Sequence, residues 1–187
     1  MRRFSFKPSL TVKGRKFKGL RGFAGKPFHP PLTDFPIAAY ILAAIFDVIA
    51  AAGRHHGFAR EYFHAGTYVF IGGAAVSVLA AVTGLFDAWR SSEAGTQARR
   101  TINSHATIMV TVTVLALVDI ALRLADYHTR AYPTVAVLVL SLVVAGLVSF
   151  GALYGGSLVY EYGFNVETAG DSPVWHKSEV DVYPGQH

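Results

Sequence analysis

The chain contains no cysteine. That absence excludes a disulfide framework, c-type haem attachment, a cysteine-ligated iron–sulfur cluster and a thiol nucleophile. Any redox cofactor would have to be held by His, Met, Tyr or carboxylates. Charge is scarce as well. Asp, Glu, Lys and Arg make up 16% of the 187 residues, where about 25% is usual for a soluble domain. Much of that charge gathers toward the two ends and leaves a middle nearly free of it. Also missing are G-x-S-x-G, a phosphate loop and HExxH, so soluble enzyme chemistry has no motif to rest on.

What is present is apolar. Hydrophobic residues make up 52% of the chain, and its mean hydropathy is +0.36. Four stretches reach the ~20 mostly apolar residues needed to cross a bilayer. They run approximately from Phe35 to Ala52, Thr67 to Phe86, His105 to Leu124 and Pro133 to Val159. Their β-branched residues would suggest strands in water. In lipid the backbone must satisfy its own hydrogen bonds, so isolated runs of this length are read as helices. The expectation is an all-α, integral membrane, antiparallel four-helix bundle over residues 29–160. An extended basic arm, 1–28, precedes it and a short polar tail, 161–187, follows it.

The arm carries nine basic residues, from Arg2 to Lys26, and has no apolar core before Pro30, so it does not read as a signal peptide. Arg90, Arg99 and Arg100 follow the second span, and Lys177 lies in the tail. The other side holds Arg54, Arg60, Arg123 and Arg130. Thirteen basic residues against four place both termini in the cytoplasm. The arm then lies on anionic headgroups or straps onto a partner subunit. Membrane attachment sets aside nucleic-acid binding, the sharper reading of such a basic patch. Trp175 and Tyr183 are candidates to pin the tail to headgroups or to a neighbouring subunit.

Ionisable groups inside spans each need a partner or a task. Asp47 shares a helical face with Tyr40, Ala43, Ala44, Ala50 and Ala51, small residues that mark a helix interface. Asp119 and Arg123 stand four apart with the acid first, the favourable order for an ion pair on one helix. A structural pair is the plain reading of these acids, and a proton relay the alternative. Small residues also recur as Gly73, Ser77 and Ala81, and as Gly151 and Gly155.

Up-down threading brings His29, Asp34, Asp87, Trp89, Asn103, His105 and Tyr160 to the cytoplasmic end. A haem b in a bundle needs two neutral imidazoles at similar depth on facing helices, each oriented by a second hydrogen bond. The first and third helices of such a bundle are diagonal, so His29 and His105 are candidate axial ligands. Asp34 or Asn103 would fix a ring tautomer, Arg99 and Arg100 would offer cations to propionates, and Asp87 and Tyr160 would stand in support. His64 and His128 form an alternative pair at the outer end. The plain reading is that His29 and His105 are hydrogen-bonding residues at helix ends. The His55–His56 doublet is a poor metal site, because adjacent side chains on a helix point apart.

Four blocks of sequence resemble a bacterial family of small membrane proteins, domain-of-unknown-function family 2231. FHPPLTDFPI resembles its HP-x-L-x-x-FP entry to the first helix, and AAIFDVIA the apolar-Asp-apolar continuation. TGLFDAW with ARRTINSHA resembles its Gly-x-x-Asp-Trp and Arg-rich lead into a helix that starts with His. GGSLVYEYGFNV resembles its closing block. The likeness extends from about Pro27 to Val166. Asp34 stands where members often carry a second His, and Ala88 separates Asp87 from Trp89. The resemblance implies four spans. It also implies redox company, because relatives are joined to Rieske-type or cytochrome-like domains; no activity attaches to the family itself.

Two functions follow as expectations. One is an electron-transfer subunit of a respiratory or photosynthetic complex, with a haem b, or a quinone, near the membrane surface. The other is a non-catalytic accessory subunit that braces a larger assembly in the bacterial inner membrane. A transporter ranks third, since four spans could conduct only as an oligomer.

Overall fold

The computed structural model describes residues 28–91 and 93–164. Nearly all of the basic arm and most of the tail, with Trp175 and Tyr183, lie outside the described residues. Among the described residues there are four α-helices and no strand: α1 (His29–Ala52), α2 (Phe58–Ser91), α3 (Gln97–Asp126) and α4 (Val135–Tyr160). All four are long and apolar enough to cross a membrane. The all-α bundle expected from the apolar runs is the fold that forms.

Helices α1, α2 and α3 outrun the apolar stretches that announce them. Helix α2 has 34 residues, roughly 50 Å at about 1.5 Å per residue, against a hydrocarbon layer of ~30 Å. Hydropathy falls where lipid ends, but backbone hydrogen bonding continues until a local signal stops it. At the start of α1, Pro30 and Pro31 occupy first-turn positions whose N–H groups would lack an intrahelical partner in any case. The hydroxyls of Thr96 and Thr134 cap α3 and α4, accepting from the N–H of Arg99 at 3.1 Å and of Val137 at 3.2 Å. Gly95, at φ 82°, supplies the left-handed residue that turns the chain into the first of these caps.

The four helices form a ring in which α1 and α3 each pack on α2 and α4, leaving α1 and α3 diagonal. Close approach of α1 and α2 depends on small side chains, since a Cβ on Gly73 would lie 2.8 Å from that of Ala39. Tyr40, Phe70, Val112, Val144 and Val148 belong to an apolar belt at the centre. A thinner layer of Ala50, Phe63 and Val137 lies toward the end where α1 and α3 finish. Leu42, Val78, Val114 and Leu142 face outward, giving the apolar exterior that a bundle in lipid presents.

On the face expected for Asp47, Tyr40, Ala43, Ala44 and Ala50 are buried and Ala51 is half-buried. Arg123, which the third apolar stretch contains and which charge counting adds to the outer side, is fully buried inside the bundle. Helix α3 continues to Asp126, and the guanidinium is drawn inward by two acids.

Candidate cofactor cavity and buried charge cluster

A cavity of about 510 Å³ opens at the end of the bundle where α1 and α3 begin and α2 and α4 finish. His29, Asp34, Asp87, His105 and Tyr160 all line it. The two imidazoles come from the diagonal helices and are held alike. His29 Nδ1 donates to the carbonyl of Ala80 at 2.9 Å, and His105 Nδ1 donates to the carbonyl of Gly151 at 2.9 Å. A carbonyl oxygen only accepts, so in each neutral ring Nδ1 carries the hydrogen and Nε2 keeps a lone pair. The tautomers are therefore fixed by backbone carbonyls of α2 and α4, not by the expected Asp34 or Asn103. Asp34 lines the cavity as an exposed residue, and Asn103 is exposed.

Glycines make room for both rings. A Cβ on Gly84 would lie 2.6 Å from His29 Cε1, and one on Gly155 would lie 3.2 Å from His105 Cε1. A Cβ on Gly151 would come 2.6 Å from the Met109 sulfur. Ser77 and Thr113, also in the lining, join α2 to α3 through a hydroxyl–hydroxyl bond of 2.9 Å. The glycine pair in α4 was legible as a small-residue stripe. Gly84 sits in the TGLFDAW block, but nothing in a single sequence aligns it with His29. The Ala80 and Gly151 acceptors leave no side-chain signal at all.

The remaining candidates divide. Asp87 is buried, while Tyr160 stands 89% exposed at the cavity mouth. Arg99 donates from Nη1 to the carbonyl of Ala88, a cavity residue, at 2.9 Å. Arg100 is exposed and grips Gln97 Oε1 from Nε at 3.0 Å and Nη2 at 2.6 Å. At the opposite end, His64 Nε2 donates to the Tyr127 carbonyl at 3.2 Å and the two rings stack at 4.2 Å. His128 is exposed, and its carbonyl accepts from Arg60 Nη2 at 3.4 Å. The hydrogen bond between the Tyr68 and Tyr127 hydroxyls pushes the Tyr127 phenol up from its ordinary value.

Beneath that rim lies an ionic cluster. Arg123 pairs with Asp119 one turn earlier, Nε to Oδ2 at 3.2 Å, as the four-residue spacing predicts. The same guanidinium crosses the diagonal of the bundle to α1, where Nη1 meets Asp47 Oδ1 at 3.0 Å and Nη2 meets Oδ2. Asp47, Asp119 and Arg123 all have zero exposure. The Phe70 ring lies 4.7 Å below the guanidinium carbon, an additional cation–π contact. Since α1 and α3 are not adjacent in the ring, this cluster ties the bundle together across its diagonal.

Among the described residues, no group of three or more His, Asp or Glu is placed to hold a metal ion. Among the described residues, the imidazoles of His29 and His105 both line one cavity. No curated protein and no solved structure matches the chain. Residues 25–168 match the family described as "Predicted membrane protein (DUF2231)", a span that takes in all four helices, the paired histidines and the buried cluster. The chain belongs to that family of predicted membrane proteins.

Proposed function

We propose that this protein is a small electron-transfer subunit of the bacterial inner membrane, holding one haem b between His29 and His105. The observation that carries the reading is the matched pair of imidazoles on diagonal helices. Each has Nδ1 tied to a backbone carbonyl, each keeps a lone pair on Nε2, and both line one cavity. A hydrogen bond on the far ring nitrogen is the usual means of orienting a metal-bound histidine and raising its basicity. The donor set suits haem, whose iron His29 and His105 would hold through Nε2. About 510 Å³ lies within the 300–1,000 Å³ common for cofactor sites, and the lining is mainly apolar. When bound, the haem supplies a reversible one-electron site. The protein's own part is to fix the two rings, exclude water with Ile37, Met109 and Val110, and leave the mouth polar through Asp34 and Tyr160.

The test is an absorption spectrum of the full chain, purified in mild detergent from cells supplied with a haem precursor. A Soret band and an α-band that sharpen on dithionite reduction, at one haem per chain, are the expected result. A chain that stays colourless through purification and after haemin titration would sink the reading and leave the accessory role.

The proposal places the cavity at the cytoplasmic face, supported by the excess of Lys and Arg on the side of the arm and of the loop between α2 and α3. The cysteine-free chain gives a background-free check. Cysteines replacing Glu93 and Thr129, both exposed, should react with an impermeant maleimide from opposite sides. In intact spheroplasts Thr129→Cys should label and Glu93→Cys should not. The reverse pattern would turn the protein over.

A further inference from the structure

The cluster at the far end from the histidine cavity does not balance its charge. One cation, Arg123, faces two carboxyls, Asp47 and Asp119, and all three side chains are excluded from the surface. With both acids ionised, the cluster would carry a net negative charge inside an apolar bundle, a state that a low-dielectric interior strongly disfavours. Among the described residues, the neighbours offer no second cation. Helix α1 contributes Asp47, and α3 contributes Asp119 and Arg123. Helix α2 contributes Thr67, whose hydroxyl donates to the Phe63 carbonyl at 2.8 Å, and the rings of Phe63 and Phe70. His64 and Tyr68 of α2 are turned to Tyr127. Helix α4 has no ionisable residue before Tyr154.

The oxygens are distributed unequally. Both oxygens of Asp47 are engaged by Arg123, whereas Asp119 uses Oδ2 alone. Its Oδ1 is buried and has no hydrogen-bond partner. We propose that the cluster is a proton-binding site, in which Asp119 takes one proton on Oδ1 while Arg123 keeps Asp47 as its paired carboxylate. The step is a simple addition: the Asp119 carboxylate and one proton give a neutral carboxylic acid, and the net charge of the cluster becomes zero. A metal cation is the poorer occupant, because hard cations seek several oxygens and three of the four carboxylate oxygens here already face the guanidinium.

Position determines where the proton comes from. The belt of Tyr40, Phe70, Val112 and Val144 belongs to the core between the cluster and the histidine cavity, while only the thinner layer of Ala50, Phe63 and Val137 lies toward the near end. Arg123 is three residues from Asp126, the last residue of α3. Exchange is therefore with the aqueous phase at that end. This inference does not rest on the haem reading, and neither outcome below depends on haem.

Infrared difference spectroscopy of the full chain in lipid nanodiscs, in light and heavy water, reads the C=O stretch of a protonated carboxylic acid. The expected result is an isotope-shifted band that disappears as pH is raised and is missing from Asp119→Asn. That variant is neutral and retains the Arg123–Asp47 pair, so its helical circular dichroism should match the parent. Carbon-13 shifts of labelled aspartate in the unmodified chain give the same readout if the variant does not fold. Persistence of the band in a folded Asp119→Asn protein would overturn the proposal. So would ionised aspartates throughout at neutral pH, or a band that is abolished by sodium at constant pH, which would make the site one for a metal cation.

Discussion

Arg123→Met is expected to destabilise the bundle by about 3–5 kcal/mol, the range for breaking a buried ion pair by removing one partner. The size follows from what remains. Asp47 and Asp119, each fully buried, lose the cation that both of them bond, and the diagonal link between α1 and α3 goes with it. Protonating both acids would relieve the charge, but would leave two carboxyl groups without their principal partner in an apolar core. Thermal unfolding in detergent, followed by circular dichroism and by loss of a monodisperse elution peak, measures the change. A companion variant separates charge from shape. Replacing Arg123, Asp47 and Asp119 together with leucine removes every ionised group in the cluster, and buried ionic clusters exchanged for apolar residues are often neutral or stabilising. The triple variant should fold at least as well as the parent, though without any proton on residue 119. A single Arg123→Met protein as stable as the parent would show that the cluster contributes nothing to the fold.

How much of this was legible beforehand depended on the range of the signal. Spans were legible because lipid forces about 20 apolar residues into each crossing. The Asp119–Arg123 pair was legible because both residues sit on one helix at a spacing that puts them on one face. Asp47 could be turned inward from its small-residue neighbours. Its bond to Arg123 could not be read, since the partners stand 76 positions apart and a single sequence carries no record of which distant residues meet. Charge counting assigns Arg123 to a side but gives no depth, for a related reason. The positive-inside rule treats an arginine near a span end as a loop residue, whereas the depth at which it settles depends on partners from other helices. Helix ends were missed because Thr96, Thr134 and the Pro30–Pro31 pair act through local backbone bonding, to which hydropathy is blind.

The histidine cavity shows the same division, and it yields the second large effect. His29 and His105 are singled out by the up-down topology of the spans. What makes them look like ligands, the Ala80 and Gly151 carbonyls and the glycine surfaces behind the rings, belongs to backbone that no side-chain pattern encodes. On the haem reading, His105→Ala should abolish the low-spin spectrum. His29→Ala should abolish it or leave a five-coordinate, high-spin iron. Each substitution removes one hydrogen bond from the apo bundle, about 1 kcal/mol, so the variants should still fold and loss of haem would not be a by-product of unfolding. His64→Ala and His128→Ala serve as controls and should retain the parent spectrum, since both residues lie at the other end of the bundle. Gly84→Val probes the same site without altering a ligand. Its Cβ would fall 2.6 Å from His29 Cε1, so the ring has to leave the Ala80 carbonyl and change its orientation. Weakened or high-spin haem in Gly84→Val, alongside an unaffected His64→Ala, would place His29 at the iron through its geometry. An unchanged low-spin spectrum in His29→Ala, His105→Ala and Gly84→Val would move the ligands to His64 and His128.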